Sequence, residues 1–118
     1  VSNIDFFESH DVPQPRDKVR IESVTATPYP DGWRVKLVIE VTPFQERPNL
    51  EIRVRSAAGR DVSQLSVIET MHRHMEFTIH IRGVASPAGS YTLGVDLYYG
   101  EDRTTPQDRH EVVFSIQG

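Results

Sequence analysis

The chain has 118 residues, no cysteine and a formal net charge of -4, with 37% hydrophobic and 25% charged residues. A chain of this length forms one domain that buries roughly two-thirds of its unfolded surface, and the missing cysteines exclude disulfides, thiolate zinc sites and a cysteine nucleophile together. The near balance of charge argues against nucleic acid or an anionic membrane as the main partner, and no run approaches the roughly 18 apolar residues of a membrane span.

Val1 to Pro15 mixes an apolar group, Ile4, Phe6 and Phe7, with Asp5, Glu8 and Asp11 and holds no Lys or Arg. Pro13 and Pro15 exclude a regular helix beyond Asp11. Residues 1–15 are therefore expected to form a flexible acidic arm, with Phe6 and Phe7 available to dock on this domain or on whatever precedes it. From Arg16 onward fourteen acids stand against thirteen bases, and residues 16–118 are expected to be the folded domain. The chain starts at Val1 rather than Met, and its opening lacks the basic start and apolar run of a signal peptide. This predicts a piece of a longer polypeptide or a processed form.

The first strand is predicted over Lys18 to Tyr29, with Val19, Ile21, Val24 and Ala26 toward the core. Its parity changes between Ile21 and Val24, which predicts a bulge or a switch between sheets near Ser23. Pro28-Tyr29-Pro30-Asp31-Gly32 reads as a turn. From Trp33 to Phe44, the residues Trp33, Val35, Leu37, Ile39 and Val41 alternate with Arg34, Lys36 and Glu40, the period-two pattern of a half-buried strand. A loop bounded by Pro43, Pro48 and Asn49 follows. Leu50, Ile52 and Val54 then alternate with Glu51, Arg53 and Arg55 as a third strand.

The turn at residues 57–61 leads into a less regular fourth strand, Val62 to Thr70, whose apolar members are Val62, Leu65, Val67 and Ile68. From His74 to Arg82 the alternation is clean again, with Met75, Phe77, Ile79 and Ile81 inward. Behind the Val84 to Ser90 corner comes the most regular run, in which Tyr91, Leu93, Val95, Leu97 and Tyr99 share one face. A polar loop from Gly100 to Arg109 precedes the last strand, His110 to Gln117, with Val112, Phe114 and Ile116 inside. No window of helical length shows the spacing of an amphipathic helix. Seven such segments separated by turn-rich loops predict an all-β fold, a seven-stranded antiparallel sandwich.

At Pro87-x-Gly89-x-Tyr91-x-Leu93-x-Val95 the sequence resembles the corner leading into the sixth strand of immunoglobulin-like and fibronectin type III-like modules. The resemblance implies that the Tyr91 hydroxyl turns back to upstream backbone and ties the corner, with Pro87 and Gly89 shaping the turn. As a strand count it covers Arg16 to Gly118. Trp33 opens the second strand, a placement that departs from both groups, and no disulfide accompanies it. Modules of this kind share no active site, so the resemblance carries over no catalytic residue.

His72, His74 and His80 share parity with Glu76, and neighbours two apart on one strand face chelate zinc when a third ligand arrives from an adjacent strand. Alternation with Met75, Phe77 and Ile79 accounts for the same residues as an outward, solvated face. Arg53 and Arg55 point outward on the third strand, which in an ordinary sandwich pairs with the sixth. Cross-strand ion pairs with Asp96 and Glu111 are one expectation, and a two-arginine grip on a carboxylate is the other. Gly94, Tyr98 and Val113 fall on the same outward face, where the pattern calls for polar residues, and suggest a contact patch. The acids of residues 100–108 lack the regular spacing of a calcium loop.

No serine sits in a G-x-S-x-G elbow and no phosphate-cradling glycine motif is present. A carboxylate pair for glycoside chemistry would come from different strands, and nothing nominates one. The leading expectation is a non-catalytic spacer or docking module of a larger protein, without cofactor, in a bacterial surface or secreted setting. Its partners are other domains of the parent chain or another protein. A zinc-dependent domain using His72, His74 and His80 is the second expectation. A carbohydrate-binding module is the third, by analogy with other sandwiches only, since the usual flat aromatic platform is hard to assemble from Tyr29, Trp33, Phe44 and Tyr98.

Overall fold

Apolar and polar residues alternate in each segment, so every strand has one dry and one wet face, and two stacked sheets bury the dry faces together. A computed structural model describes residues 12–101 and 104–118. The features expected at Ile4, Asp5, Phe6, Phe7, Glu8 and Asp11 lie outside the described residues. The strands are β1 (Ile21–Pro28), β2 (Arg34–Val41), β3 (Asn49–Ser56), β4 (Asp61–Val67), β5 (His74–His80), β6 (Gly89–Tyr98) and β7 (Asp108–Ile116). They form two antiparallel sheets, in the orders β1-β2-β5 and β4-β3-β6-β7. The fold is the all-β, seven-stranded antiparallel sandwich that the alternation predicts.

Leu37 and Ile39 from β2, Leu50 and Ile52 from β3, and Leu93, Val95 and Leu97 from β6 are fully buried between the sheets. The register shifts between Ile21 and Ser23, at the parity change in the sequence. A second shift between Val54 and Arg55 places Arg55 opposite Asp61 and Val54 opposite Ser63. Val62 is thus the extra residue of a bulge, and this explains the irregular pattern of the fourth strand.

Trp33 is the clearest departure from the predicted core. It precedes β2 and is 40% exposed. The Asp31 carboxylate accepts hydrogen bonds from the Trp33 and Arg34 backbone N–H groups at 2.9 and 3.2 Å, holding the turn closed. Gly32 in that turn has a φ of 76°, a conformation that L side chains rarely adopt. Trp33 shares the inward parity of Val35, but it stands at the turn, before the strand begins.

At the other terminus, Arg16–Lys18 wind into a 3-10 turn. The described part of the expected arm, Val12 to Pro15, is tied to the domain. Gln14 N–H donates to the Pro43 carbonyl and Gln45 N–H to the Gln14 carbonyl, each at 2.9 Å.

The two long sides of the sandwich differ. On one side β1 packs against β7, and the Asp108 carboxylate accepts a hydrogen bond from Ile21 N–H at 2.8 Å. On the other side the edges are β4 and β5. There Phe77, expected in the core, is only half-buried because it stands on an edge strand with no facing strand to cover it.

Candidate interaction surfaces

The first surface is the outer face of the four-stranded sheet. Its register aligns Ser66, Glu51, Asp96 and Arg109 in one row and Gln64, Arg53, Gly94 and Glu111 in the next. Asp61, Arg55, Thr92 and Val113 form the third row. A shallow depression centred on these rows is lined by Arg53, Arg55, Thr92, Gly94, Asp96 and Glu111, among others.

The ion pairs on this face differ from those expected. Glu51, not Arg53, stands opposite Asp96, and Asp96 instead holds Arg109 through contacts of 2.8 and 3.3 Å. That hydrogen-bonded carboxylate pushes the Arg109 guanidinium above its ordinary value. Arg55 approaches Asp61 at 3.5 Å. Glu51 is only 3% exposed and accepts hydrogen bonds from the Ser66 hydroxyl at 2.7 and 2.9 Å and the Gln64 amide at 2.9 Å. Alternation fixes which face a residue takes, but the partner across the ladder depends on a register that it leaves free.

Tyr98 does not belong to the expected patch. It is 2% exposed, although it shares the parity of Gly94 and Asp96. Val113 is 68% exposed beside Thr92. The four aromatic side chains considered for a carbohydrate platform therefore do not form one exposed surface. Tyr98 is buried, Phe44 packs partly on the core, and Tyr29 lies under the Arg34 guanidinium at 4.6 Å.

The second surface is the open β4–β5 side. A groove there is lined by Val67, Ile68, Met71, Met75 and Phe77, with Arg47, Glu69, His72, His74 and Glu76 around its rim. Ile68 and Met71 are 57% and 67% exposed. The connection that carries them is firmly placed. Buried Asn49 accepts from Glu69 N–H at 2.7 Å and donates to the Gly100 carbonyl at 3.2 Å. Buried Thr70 donates its N–H to the Pro48 carbonyl at 3.0 Å, and its hydroxyl donates to the His72 carbonyl at 3.1 Å. Glu69 has a φ of 49°, a left-handed conformation uncommon outside glycine.

The turn thus drives Thr70 inward and leaves Ile68 and Met71 outward on a fixed backbone. Alternation misses this, since it reads Ile68 as a core residue. The signal in the sequence is the break in parity between Val67 and Ile68.

The histidines do not converge. His74 and His80 occupy the two ends of β5, about 20 Å apart at the usual rise per residue. His72 precedes the strand, and His74 Nδ1 instead faces Glu40 at 3.4 Å. Among the described residues no group of three His, Asp or Glu side chains is placed to hold a metal ion.

Near the 3-10 turn, Tyr99 donates its hydroxyl to the Glu46 carbonyl at 2.8 Å, while Arg16 pairs with the Glu46 carboxylate and lies 4.7 Å from the Tyr99 ring centre. Burial, helped by the Glu46 charge and opposed by Arg16, pushes the Tyr99 hydroxyl up to about 12. This cluster is a fastening between the N-terminal turn and the end of β6.

Fold and surfaces together define an all-β sandwich module with one closed side, one open apolar side and a charged sheet face. No family model matches the chain, and no curated protein matches it. Among solved structures it is similar to the β-glucuronidase of Bifidobacterium dentium, solved with coumarin-3-O-glucuronide, with a TM-score of 0.64 at 16% identity. That match covers 85% of this chain and 18% of the other. It is also similar to the β-glucuronidase of Ruminococcus gnavus, with a TM-score of 0.51, 14% identity, and coverage of 84% and 16%. At such identities the likeness is one of fold. The chain spans under a fifth of the length of these structures.

Proposed function

We propose that the chain is a non-catalytic structural and protein-interaction module of a larger protein, meeting the rest of that protein through its β4–β5 groove. The observation that carries this reading is the exposed pair Ile68 and Met71, held on a backbone pinned by Asn49 and Thr70. Two large apolar side chains at 57% and 67% exposure, continuous with half-buried Val67 and Phe77, make a surface that gains free energy when covered. In the β-glucuronidase structures the similar fold accounts for 16–18% of the chain, which supports an accessory place within a longer, glycosidase-like polypeptide. β4 pairs with β3 rather than with β5, unlike the fourth strand of antibody constant domains. This supports the fibronectin type III-like comparison.

Photo-crosslinking tests the reading in the native polypeptide. A photoreactive residue at Ile68 or Met71 is expected to capture another segment or subunit, whereas one at Thr25, on the wet face of β1, is not. Equal capture from the two places would contradict it. Met71→Glu should abolish capture from position 68 without unfolding the domain, since the side chain is already in water.

A further inference from the structure

Gly94 stands in the middle of β6, a central strand, where glycine weakens a sheet. The usual local reasons for a glycine do not apply to it. The ladders on both sides run through Gly94 without a register shift, from Arg53 on β3 to Glu111 on β7. Its φ lies outside the left-handed range, and a Cβ added there meets nothing within 4 Å. A glycine that neither the backbone nor its neighbours require leaves room for close approach from outside.

The charges around this gap are unevenly satisfied. The Glu51 carboxylate is hydrogen-bonded to Ser66 and Gln64, and Asp96 is paired with Arg109. Arg55 has its 3.5 Å contact with the exposed Asp61. The Arg53 guanidinium has no hydrogen bond or ion pair among the described residues, and Glu111, across Gly94 in the same row, does not come within ion-pair distance of it. Arg53 and Arg55 lie about 7 Å apart on one strand face, a spacing at which one carboxylate can accept from both. In the adjoining row Val113 offers an exposed apolar contact beside Thr92.

We propose that this face recognises an acidic peptide segment of a protein partner. Its carboxylate is held between Arg53 and Arg55, its backbone rests on Gly94, and a neighbouring apolar side chain lies on Val113. The guanidinium forks supply charge-assisted hydrogen bonds, and the shallow face suits an extended segment better than an enclosed small molecule. The site lies on the outer face of the sheet, apart from the β4–β5 groove, and stands or falls independently of it.

The test is a titration of the 15N-labelled 118-residue chain with the blocked peptide acetyl-Val-Glu-Val-Glu-amide, its glutamine counterpart, and glutarate. The glutamate peptide is expected to shift the amide signals of Arg53, Thr92, Gly94 and Val113, and the glutamine peptide to leave them in place. Arg53→Ala should weaken binding about tenfold, the loss expected for one charge-assisted contact. Gly94→Val should abolish binding while leaving the fold intact, by filling the gap. Absence of shifts, equal response to both peptides, or full binding by Gly94→Val would overturn the proposal. Glutarate acting as strongly as the peptide on the same amides would overturn the assignment to a peptide.

Discussion

Tyr91 and Pro87 are joined by one short hydrogen bond: the phenolic hydroxyl donates to the proline carbonyl at 2.6 Å. The ring itself is buried and stacks on Phe114 with centroids 5.4 Å apart. One side chain therefore fixes the corner before β6 and joins β6 to its sheet neighbour β7, where Tyr91 and Phe114 are cross-strand partners. Tyr91→Phe keeps the ring and removes the donor. It is expected to cost about 1 kcal/mol, the usual net value of such a bond, read as a lower urea midpoint with an unchanged slope. An unchanged midpoint would mean that the corner holds without the bond.

Tyr99 gives the fold an alkaline limit. Its folded-state value is raised to about 12, chiefly by burial, whereas an unfolded tyrosine ionises near 10. The folded state thus keeps a proton that the unfolded state gives up, so this contribution is complete below about pH 10 and is lost as pH rises toward 12. Burial also raises Tyr91. Tyr99→Phe should therefore flatten part of the alkaline decline in melting temperature and leave a remainder.

Asn49→Ala should loosen the turn that presents Ile68 and Met71. It removes the acceptor of Glu69 N–H and the donor to Gly100, at a cost of about 1–3 kcal/mol for buried groups left unpaired. Faster amide exchange at Glu69 and Thr70, with β6 unchanged, is the expected local sign.

Gly94→Val should raise stability by up to about 1 kcal/mol, since a β-branched residue suits a central strand and the added side chain has room. A stability loss would show that the position is more crowded than its surroundings indicate.

Zinc should leave the melting temperature of the chain unchanged. The separation of His74 from His80 along β5, and the engagement of His74 with Glu40, leave no set of three ligands among the described residues. A rise that disappears in a His74→Ala, His80→Ala double variant would restore the metal reading.

The fold was legible because its core follows period-two alternation almost without interruption, from Val35 to Val41 and from Tyr91 to Leu97. Parity even located the bulge near Ser23. It failed where a residue's depth depends on what lies beyond its own strand. Trp33 has core parity but stands at a turn, Phe77 has core parity on an uncovered edge, and Tyr98 has surface parity yet is buried. The pairing of Asp96 with Arg109 rather than with Arg53 was illegible for a different reason, because cross-strand partners are set by register. Ile68 and Met71 are exposed by the conformation of a turn, with Glu69 in a left-handed geometry that composition does not announce.

Amide hydrogen exchange of residues 67–77, compared between this chain alone and the larger polypeptide that the proposed function assigns it to, tests the interaction reading most directly. Contact through the β4–β5 groove predicts slower exchange there in the larger polypeptide, with the closed β1–β7 side unchanged. Identical rates at residues 67–77 in the two samples would contradict it.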